Sequence, residues 1–380
     1  MYNIFKKHRR WRLVTAILSL SLLTVMAGAA VAPALGLIQE HFADADRSLV
    51  QMIVSMPALF IALTNLVIYK PLVKRFRARS LLIFGLLLYT VFGCVAGLFD
   101  SIALILVCRA LVGVGVGIIM PLSTGLLAFY FTRDKQGALM GYSSALNMMG
   151  GVVATLIAGG LAMISWRLSF LVYLLGLISI VLCLIWMPND KIYDPAADRK
   201  TSGNSAKYLP FIITMFILSF TFFVYPASFA LECTKSGAIP QGLIAPVMAM
   251  MDIFGFFGGL AFSAVARKAG TAVRFAAPAL FIAAYACLGL VGGAPGILTG
   301  SALVGLANGI GVPFIMTTAS AKAGREAATT VMPLISAALY LAQFLTPMIL
   351  SALGSLTGAG AFVTALGAAV VLMAVSVRRE

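Results

Sequence analysis

Apolar residues run along this chain in long blocks, each near the ~20 residues that an α-helix needs to cross about 30 Å of hydrocarbon. Short charged breaks separate them. The blocks fall at 13–37, 48–69, 80–99, 102–129, 136–163 and 167–187. A polar stretch follows, holding Asp190, Lys191, Asp194, Asp198, Arg199, Lys200 and Lys207. Six more blocks come after it, at 208–231, 241–265, 270–293, 296–318, 326–352 and 356–377. The pattern predicts an all-α polytopic membrane protein with twelve transmembrane helices. A six-helix bundle is expected over 1–187, a cytoplasmic linker over 188–207 and a second six-helix bundle over 208–380. Lys6, Lys7, Arg9, Arg10 and Arg12 ahead of an apolar run, with Ala27-Gly28-Ala29 behind, imitate a secretory signal. The run continues to Leu37, past the 7–15 residues of a cleaved signal, so it is expected to be the first span.

Composition removes the alternatives. Of 380 residues, 61% are hydrophobic and 10% charged, and the mean hydropathy is +1.04. Soluble domains carry about 25% charged residues, so an ordinary soluble enzyme, a disordered chain and a nucleic-acid-binding domain are excluded. Cys94, Cys108, Cys183, Cys233 and Cys287 are scattered without metal-ligand spacing and read as small buried hydrophobes. With His8 and His41 the only histidines, no metal centre and no cofactor is expected.

The net charge of +15 is a matter of topology. With both ends on the cytoplasmic side, 23 of the 27 basic residues fall in inside segments. Arg47, Arg167 and Lys235 fall outside, and Arg109 lies within a span. This is the positive-inside asymmetry. It predicts a multi-pass protein of a cell membrane, of the bacterial cytoplasmic type, with the anionic lipids of the inner leaflet as partners.

The halves also echo one another. Residues 110–121, ALVGVGVGIIMP, match 302–313, ALVGLANGIGVP, so Gly113, Gly117 and Pro121 align with Gly305, Gly309 and Pro313. Val31-Ala-Pro33-Ala34 aligns with Val224-Tyr-Pro226-Ala227, and Lys74 and Arg75 align with Arg267 and Lys268. Duplicated halves of this kind mark secondary transporters, whose substrate site lies near the midplane between the repeats. Gly113, Gly117, Pro121, Gly305, Gly309 and Pro313, with Lys74, Arg75, Arg267 and Lys268, are candidates for packing and gating. The same glycine run superficially suggests a dinucleotide loop, but no strand precedes it. No Walker motif is present, so an ion gradient or facilitated diffusion is expected to drive transport.

Twelve spans as six plus six, the long central loop and the basic loop after span two resemble the major facilitator superfamily. Arg109-x-x-x-Gly113-x-Gly115 is similar to a motif of its proton-coupled members, and Trp166-Arg167-x-x-Phe170 resembles a common junction there. The run Pro33-Ala-Leu-Gly-Leu-Ile-Gln-Glu-His-Phe42 looks like the drug-efflux branch. The loop after span two departs from the family pattern Gly-x-Leu-x-Asp-Arg-x-Gly. It reads Lys70-Pro-Leu-Val-Lys74-Arg75-Phe-Arg77, with basic residues in place of both glycines and the acid. Span five has Gly150-Gly151 and Gly159-Gly160 but none of that branch's Gly-Pro pairs. The resemblance implies a monomeric transporter working by alternating access on a small-molecule substrate, with protons or another ion as partner.

Two charges lie at membrane depth, where charge is costly and marks function by default. Arg109 is about 10 Å into span four and Asp252 about 17 Å into span eight, at 1.5 Å per residue. A carboxyl group withdrawn from water favours its neutral form, so it can load and release a proton. Asp252 is therefore expected to be the proton-coupling or cation-binding group, with Arg109 as its partner. The structural alternative is a buried acid permanently paired with Arg109 or a backbone dipole. Arg109 could instead recognise an anion, in which case the chain would import a small organic anion.

Thr24, Ser123, Asn147, Tyr225, Asn308, Thr317, Tyr340 and Gln343 are the candidate polar groups of the cavity. Span seven adds Phe211, Phe216, Phe220, Phe222 and Phe223, suited to aromatic or amphipathic substrates. Met148, Met149, Met248, Met250 and Met251 supply adaptable surface. Glu40, His41 and Glu232, near outer span ends, read as solvated. Export of small amphipathic molecules in exchange for protons is the leading expectation. A membrane receptor or scaffold is the alternative of another class, and an enzyme is not expected.

Overall fold

The computed structural model of the chain describes residues 2–131, 133–191, 208–291 and 293–377. Residues 192–207 of the expected linker lie outside the described residues, as do Arg378 and Arg379.

In lipid an α-helix satisfies its backbone polar groups within one segment, and the apolar blocks fold accordingly. Helix α1 (Tyr2–Ala29) passes through a 3-10 turn at Ala32–Ala34 into α2 (Leu35–His41). Asp46 caps α3 (Arg47–Leu63), its carboxylate accepting the Ser48 N–H at 3.0 Å. A π-helical stretch, Thr64–Ile68, leads into α4 (Tyr69–Arg75). Then come α5 (Ala78–Val95), α6 (Ile102–Tyr130) and α7 (Arg133–Ala162). The sixth span starts as a 3-10 helix, Trp166–Leu175, and continues as α8 (Gly176–Trp186).

The second half contains α9 (Leu209–Ser236), α10 (Gln241–Ala269), α11 (Ala276–Ala286), α12 (Gly293–Thr357) and α13 (Ala361–Val377). Where the sequence predicts a break near 319–325, helical backbone runs on through the segment, whose alanines, Lys322 and Arg325 favour helix despite Gly324. Thus α12 holds two spans, Gly293–Ala319 and Met332–Thr357. Among the described residues eleven helices are long and apolar enough to cross a membrane. The twelfth expected span is the shorter apolar helix Ala361–Val377.

The two halves use the same packing scheme. In the first, α3 and α5 pack on α6, and α1 packs on α6 and α7. In the second, α9, α10 and α11 pack on α12, while α13 lies on α9 and α11. Between halves, α7 meets α10 and α3 meets α12. The repeated glycines do equivalent work. A Cβ on Gly113 would run into the Pro57 carbonyl of α3, and one on Gly305 into the Met251 carbonyl of α10. One turn on, Gly117 is held against Thr64 and Gly309 against Gly255. Such close backbone approach between spans depends on small residues. Away from these contacts, Phe84, Leu87 and Val91 form an exposed apolar stripe on α5, a surface suited to lipid.

Candidate functional site

A cavity of about 1130 Å³, including its open mouth, lies between the halves. Helix α1 contributes Thr24 and Gly28, α7 contributes Asn147 and Met148, and α9 contributes Phe222 and Phe223. From α10 come Met248, Met251 and Asp252, and from α12 come Asn308, Tyr340 and Gln343. Among the described residues Asp252 is the one charged residue in this lining. Its carboxylate lies beside Gly151 of α7, where a Cβ would come within 3.1 Å of it. Among the described residues Asp252 forms no hydrogen bond or ion pair.

Two polar seams border the cavity on α1 and α7. Thr24 donates to Asn147 Oδ1. One turn away, Ser21 is bonded to Ser143 at 2.6 Å and to Ser123 at 3.1 Å, all three buried. The cavity floor is softer. Phe222 and Phe223 meet edge to face with centroids 5.0 Å apart, and Tyr340 reaches the Met120 sulfur at 2.9 Å.

Arg109 stands behind the wall. It is fully buried. Its Nε donates to the Ile53 carbonyl at 2.7 Å, and its two terminal nitrogens donate to the Ala27 carbonyl and the Tyr173 hydroxyl. That hydroxyl in turn donates to Ala27 O at 2.9 Å, and the guanidinium carbon lies 5.5 Å from the Tyr173 ring centroid. An arginine at membrane depth costs about 2.5–3.5 kcal/mol on insertion scales. Bonds to a charged group contribute about 1.5–3 kcal/mol each, so three offset that cost. Arg109 thereby ties α1, α3 and span six together. The expected partnership with Asp252 has no ion pair among the described residues.

At one end the cavity is capped by bonds between the halves. Arg47 Nη2 donates to Glu232 Oε1 at 2.7 Å, and Gln51 Nε2 donates to the buried Ser228 hydroxyl at 3.0 Å. The rungs are four residues apart on each of two antiparallel helices, α3 and α9. Gly36 packs against Thr234, and Gly159 against Ala245, at the same end. Near it, His41 Nε2 lies 3.1 Å from Asp100 Oδ1, and Arg167 donates to the same oxygen. These two bonds hold the exposed Asp100 carboxyl below the usual carboxylate range.

Of the predicted cavity groups, Thr24, Asn147, Asn308, Tyr340 and Gln343 share one lining. Three others lie elsewhere. Ser123 is in the buried seam, accepting or donating to Ser21. Tyr225 donates to Ser301 at 2.6 Å inside the second bundle, where it is fully buried and outside the cavity lining. Thr317 is exposed and donates to the Pro313 carbonyl at 2.7 Å, one turn back. Lys74 and Arg75 end α4, and Arg267 and Lys268 end α10, all four exposed. Pro121 and Pro313 lie inside α6 and α12. Sequence reading passed over Tyr173, Gln51 and Ser228, and it took Glu232 as solvated where it is half-buried and paired with Arg47 in the Arg47–Glu232 and Gln51–Ser228 rungs. The i, i+4 spacing of polar residues on spans two and seven is the signal that could have found the latter.

Comparisons with known proteins agree with this architecture. The family model described as Major Facilitator Superfamily matches residues 17–347. An uncharacterized transporter of Schizosaccharomyces pombe is 29% identical over 154 residues, covering 40% of this chain and 31% of that protein. The multidrug transporter QDR2 of Candida glabrata is 26% identical over 194 residues, covering 50% of this chain and 33% of its own. The chain thus spans about a third of the length of these curated relatives. Among solved structures, a peptide transporter POT in complex with sulfate superposes with a TM-score of 0.75 at 14% identity, covering 96% of this chain and 93% of that one. A bacterial homolog to the human lysosomal transporter Spinster, in an inward-facing and unoccupied conformation, gives 0.72 at 15% identity, covering 97% and 96%. With the family matched over most of its length, the chain belongs to the Major Facilitator Superfamily.

Proposed function

We propose that the protein is a secondary transporter that exports small amphipathic organic molecules in exchange for protons, by alternating access between two six-helix bundles. The observation that carries this reading is Asp252, a lone carboxylate partly exposed to the cavity and without a bonded partner among the described residues. A charge at this depth must be neutralised, and a proton or a substrate can do it. The apolar, thioether-rich lining suits an amphipathic body. The multidrug transporter among the relatives supports export as the direction. The capped end of the cavity is the one that the basic-residue asymmetry assigns to the outside, which supports a resting state that faces inward with both termini in the cytoplasm.

In this scheme Arg109 is a positioning residue. Its bonds to Ile53, Ala27 and Tyr173 leave it outside the cavity lining, which works against recognition of an anion. The test is proton-driven uptake of a fluorescent amphipathic dye into proteoliposomes. Asp252→Asn should abolish uptake while the purified protein still elutes as one folded species. Unchanged proton-driven uptake in that variant would sink the proposal.

A further inference from the structure

We infer that the capped end of the molecule holds a second binding site, for a small organic cation with N–H donors, and that its occupant braces the two halves in the closed arrangement. The inference goes beyond proton exchange and rests only on the alternation of access proposed above. The pocket has a volume of about 580 Å³, including its mouth, and shares no lining residue with the central cavity. Asp46, Arg47 and Gln51 reach it from the start of α3, Glu232 from α9, and Leu350 and Gly354 from α12. Its walls thus come from both bundles, and the pocket lasts only while α3 lies against α9.

The free groups of this lining are hydrogen-bond acceptors. Gln51 is 3% exposed. Its Nε2 is spent on Ser228, which leaves its Oε1 without a hydrogen bond among the described residues. This side chain lines the outer pocket and not the central cavity. A buried amide oxygen without a donor is costly, and a ligand N–H would satisfy it. Asp46 uses Oδ1 on the Ser48 N–H and hydroxyl, and Glu232 uses Oε1 on Arg47. The second oxygen of each carboxylate has no bond among the described residues. Two carboxylates and one guanidinium, the charged groups of the lining among the described residues, leave a formal charge of −1. Gly354 begins the last turn of α12, whose C-terminus adds partial negative charge. An anion would meet that charge, and a quaternary ammonium would leave all three oxygens unbonded. Water fills ~30 Å³, so the space takes a molecule of several heavy atoms, such as an amidinium or a primary ammonium with a short apolar body against Leu350. A ligand that binds one of two conformations shifts the equilibrium toward it. An occupant bonded to Asp46 and Gln51 on one half and to Glu232 on the other therefore slows the cycle from the outer face, outside the transport path.

The test uses four aryl probes of similar size: benzamidinium, trimethylphenylammonium, benzoate and uncharged benzamide. Binding to the purified full chain is measured by calorimetry in detergent. Benzamidinium should lose about tenfold or more in affinity in Asp46→Ser, which keeps a capping hydroxyl for α3, and in Glu232→Gln, which keeps an acceptor for Arg47. Gln51→Met, close in shape but without the oxygen, should weaken it too, while Asp252→Asn should not. The other three probes should bind no better to wild type than to these outer-pocket variants. In molecules oriented to take dye into proteoliposomes, the Glu232 end faces the lumen. Benzamidinium enclosed there should lower the maximal rate of uptake without raising the half-saturating dye concentration, and in the bath alone it should not act. Affinity unchanged in Asp46→Ser and Glu232→Gln, or lost in Asp252→Asn alone, would overturn the site. Binding through Asp46 and Glu232 with an undiminished rate would overturn the brace. Dye uptake indifferent to the proton gradient would sink the exchange reading and leave both arms of this test intact.

Discussion

Arg109 and Asp252 are the two residues that depth alone singles out, and their fates differ because their neighbours differ. Around Arg109 the chain supplies two backbone carbonyls and a phenol. Around Asp252 it supplies Gly151 and open space. Sequence could rank both as costly, but it could not show Tyr173, 64 residues away, arriving at the guanidinium. Tyr173→Phe removes an acceptor from a buried charge and should cost about 1–3 kcal/mol. The expected result is a lower midpoint of thermal unfolding in detergent with little change in substrate selectivity. At the surface, Asp100 gives a pH effect whose sign follows from its bonds to His41 and Arg167. Its folded carboxyl titrates below the unfolded one. That contribution to stability is present above the unfolded value, near pH 4, and is lost as pH falls through the folded one. Acid unfolding of Asp100→Asn should lack this increment, with a smaller loss of stability below about pH 4 than wild type shows.

At the scale of elements, hydrophobic blocks made most of the helices legible, and the repeat marked small residues without saying which helices they bring together. Gly113 and Gly305 show why: each sits where one span's backbone touches another, in α6 against α3 and in α12 against α10. The interruptions were not legible. Nothing in the apolar pattern separates the 3-10 start of span six or the π-helical stretch Thr64–Ile68 from ordinary α-helix. Overpacking a tight contact costs about 1–3 kcal/mol, so Gly113→Ala and Gly305→Ala should each lower the unfolding midpoint. Because they lie in different bundles, the double variant should be close to additive. An interaction energy well above about 0.5 kcal/mol would contradict independent packing of the two sites. The rungs between α3 and α9 invite a different comparison. Arg47–Glu232 is partly exposed and so contributes about 0.2–1 kcal/mol, weakened by salt. Gln51–Ser228 is buried, and leaving one of its partners unsatisfied costs about 1–3 kcal/mol. Ser228→Ala should therefore loosen the capped end more than Arg47→Met, and only the latter should erase a salt dependence.

For the whole molecule, two side-chain bonds between the halves, Arg47–Glu232 and Gln51–Ser228, lie at the Arg47 end, while the cavity occupies the space beyond. The native Cys233 offers a reporter there, since it is buried next to Glu232. In a chain whose other four cysteines are replaced by alanine, an impermeant maleimide should label Cys233 slowly. Labelling should speed up in Ser228→Ala, and a Cys233 rate indifferent to that change would deny the rungs a role in closure. The antiparallel run of α3 and α9 also sets how such a closure would fail. The two bonds are arranged in series along one line, with Arg47–Glu232 at the rim and Gln51–Ser228 a turn inward. A rocking motion pivoting near the cavity has its longest lever arm at the rim. The outer bond is stretched first and the inner one only after the first has parted, as in peeling rather than shearing. Each opening event then meets two small barriers in succession, not one large barrier, and water wets the seam from the rim one helical turn at a time.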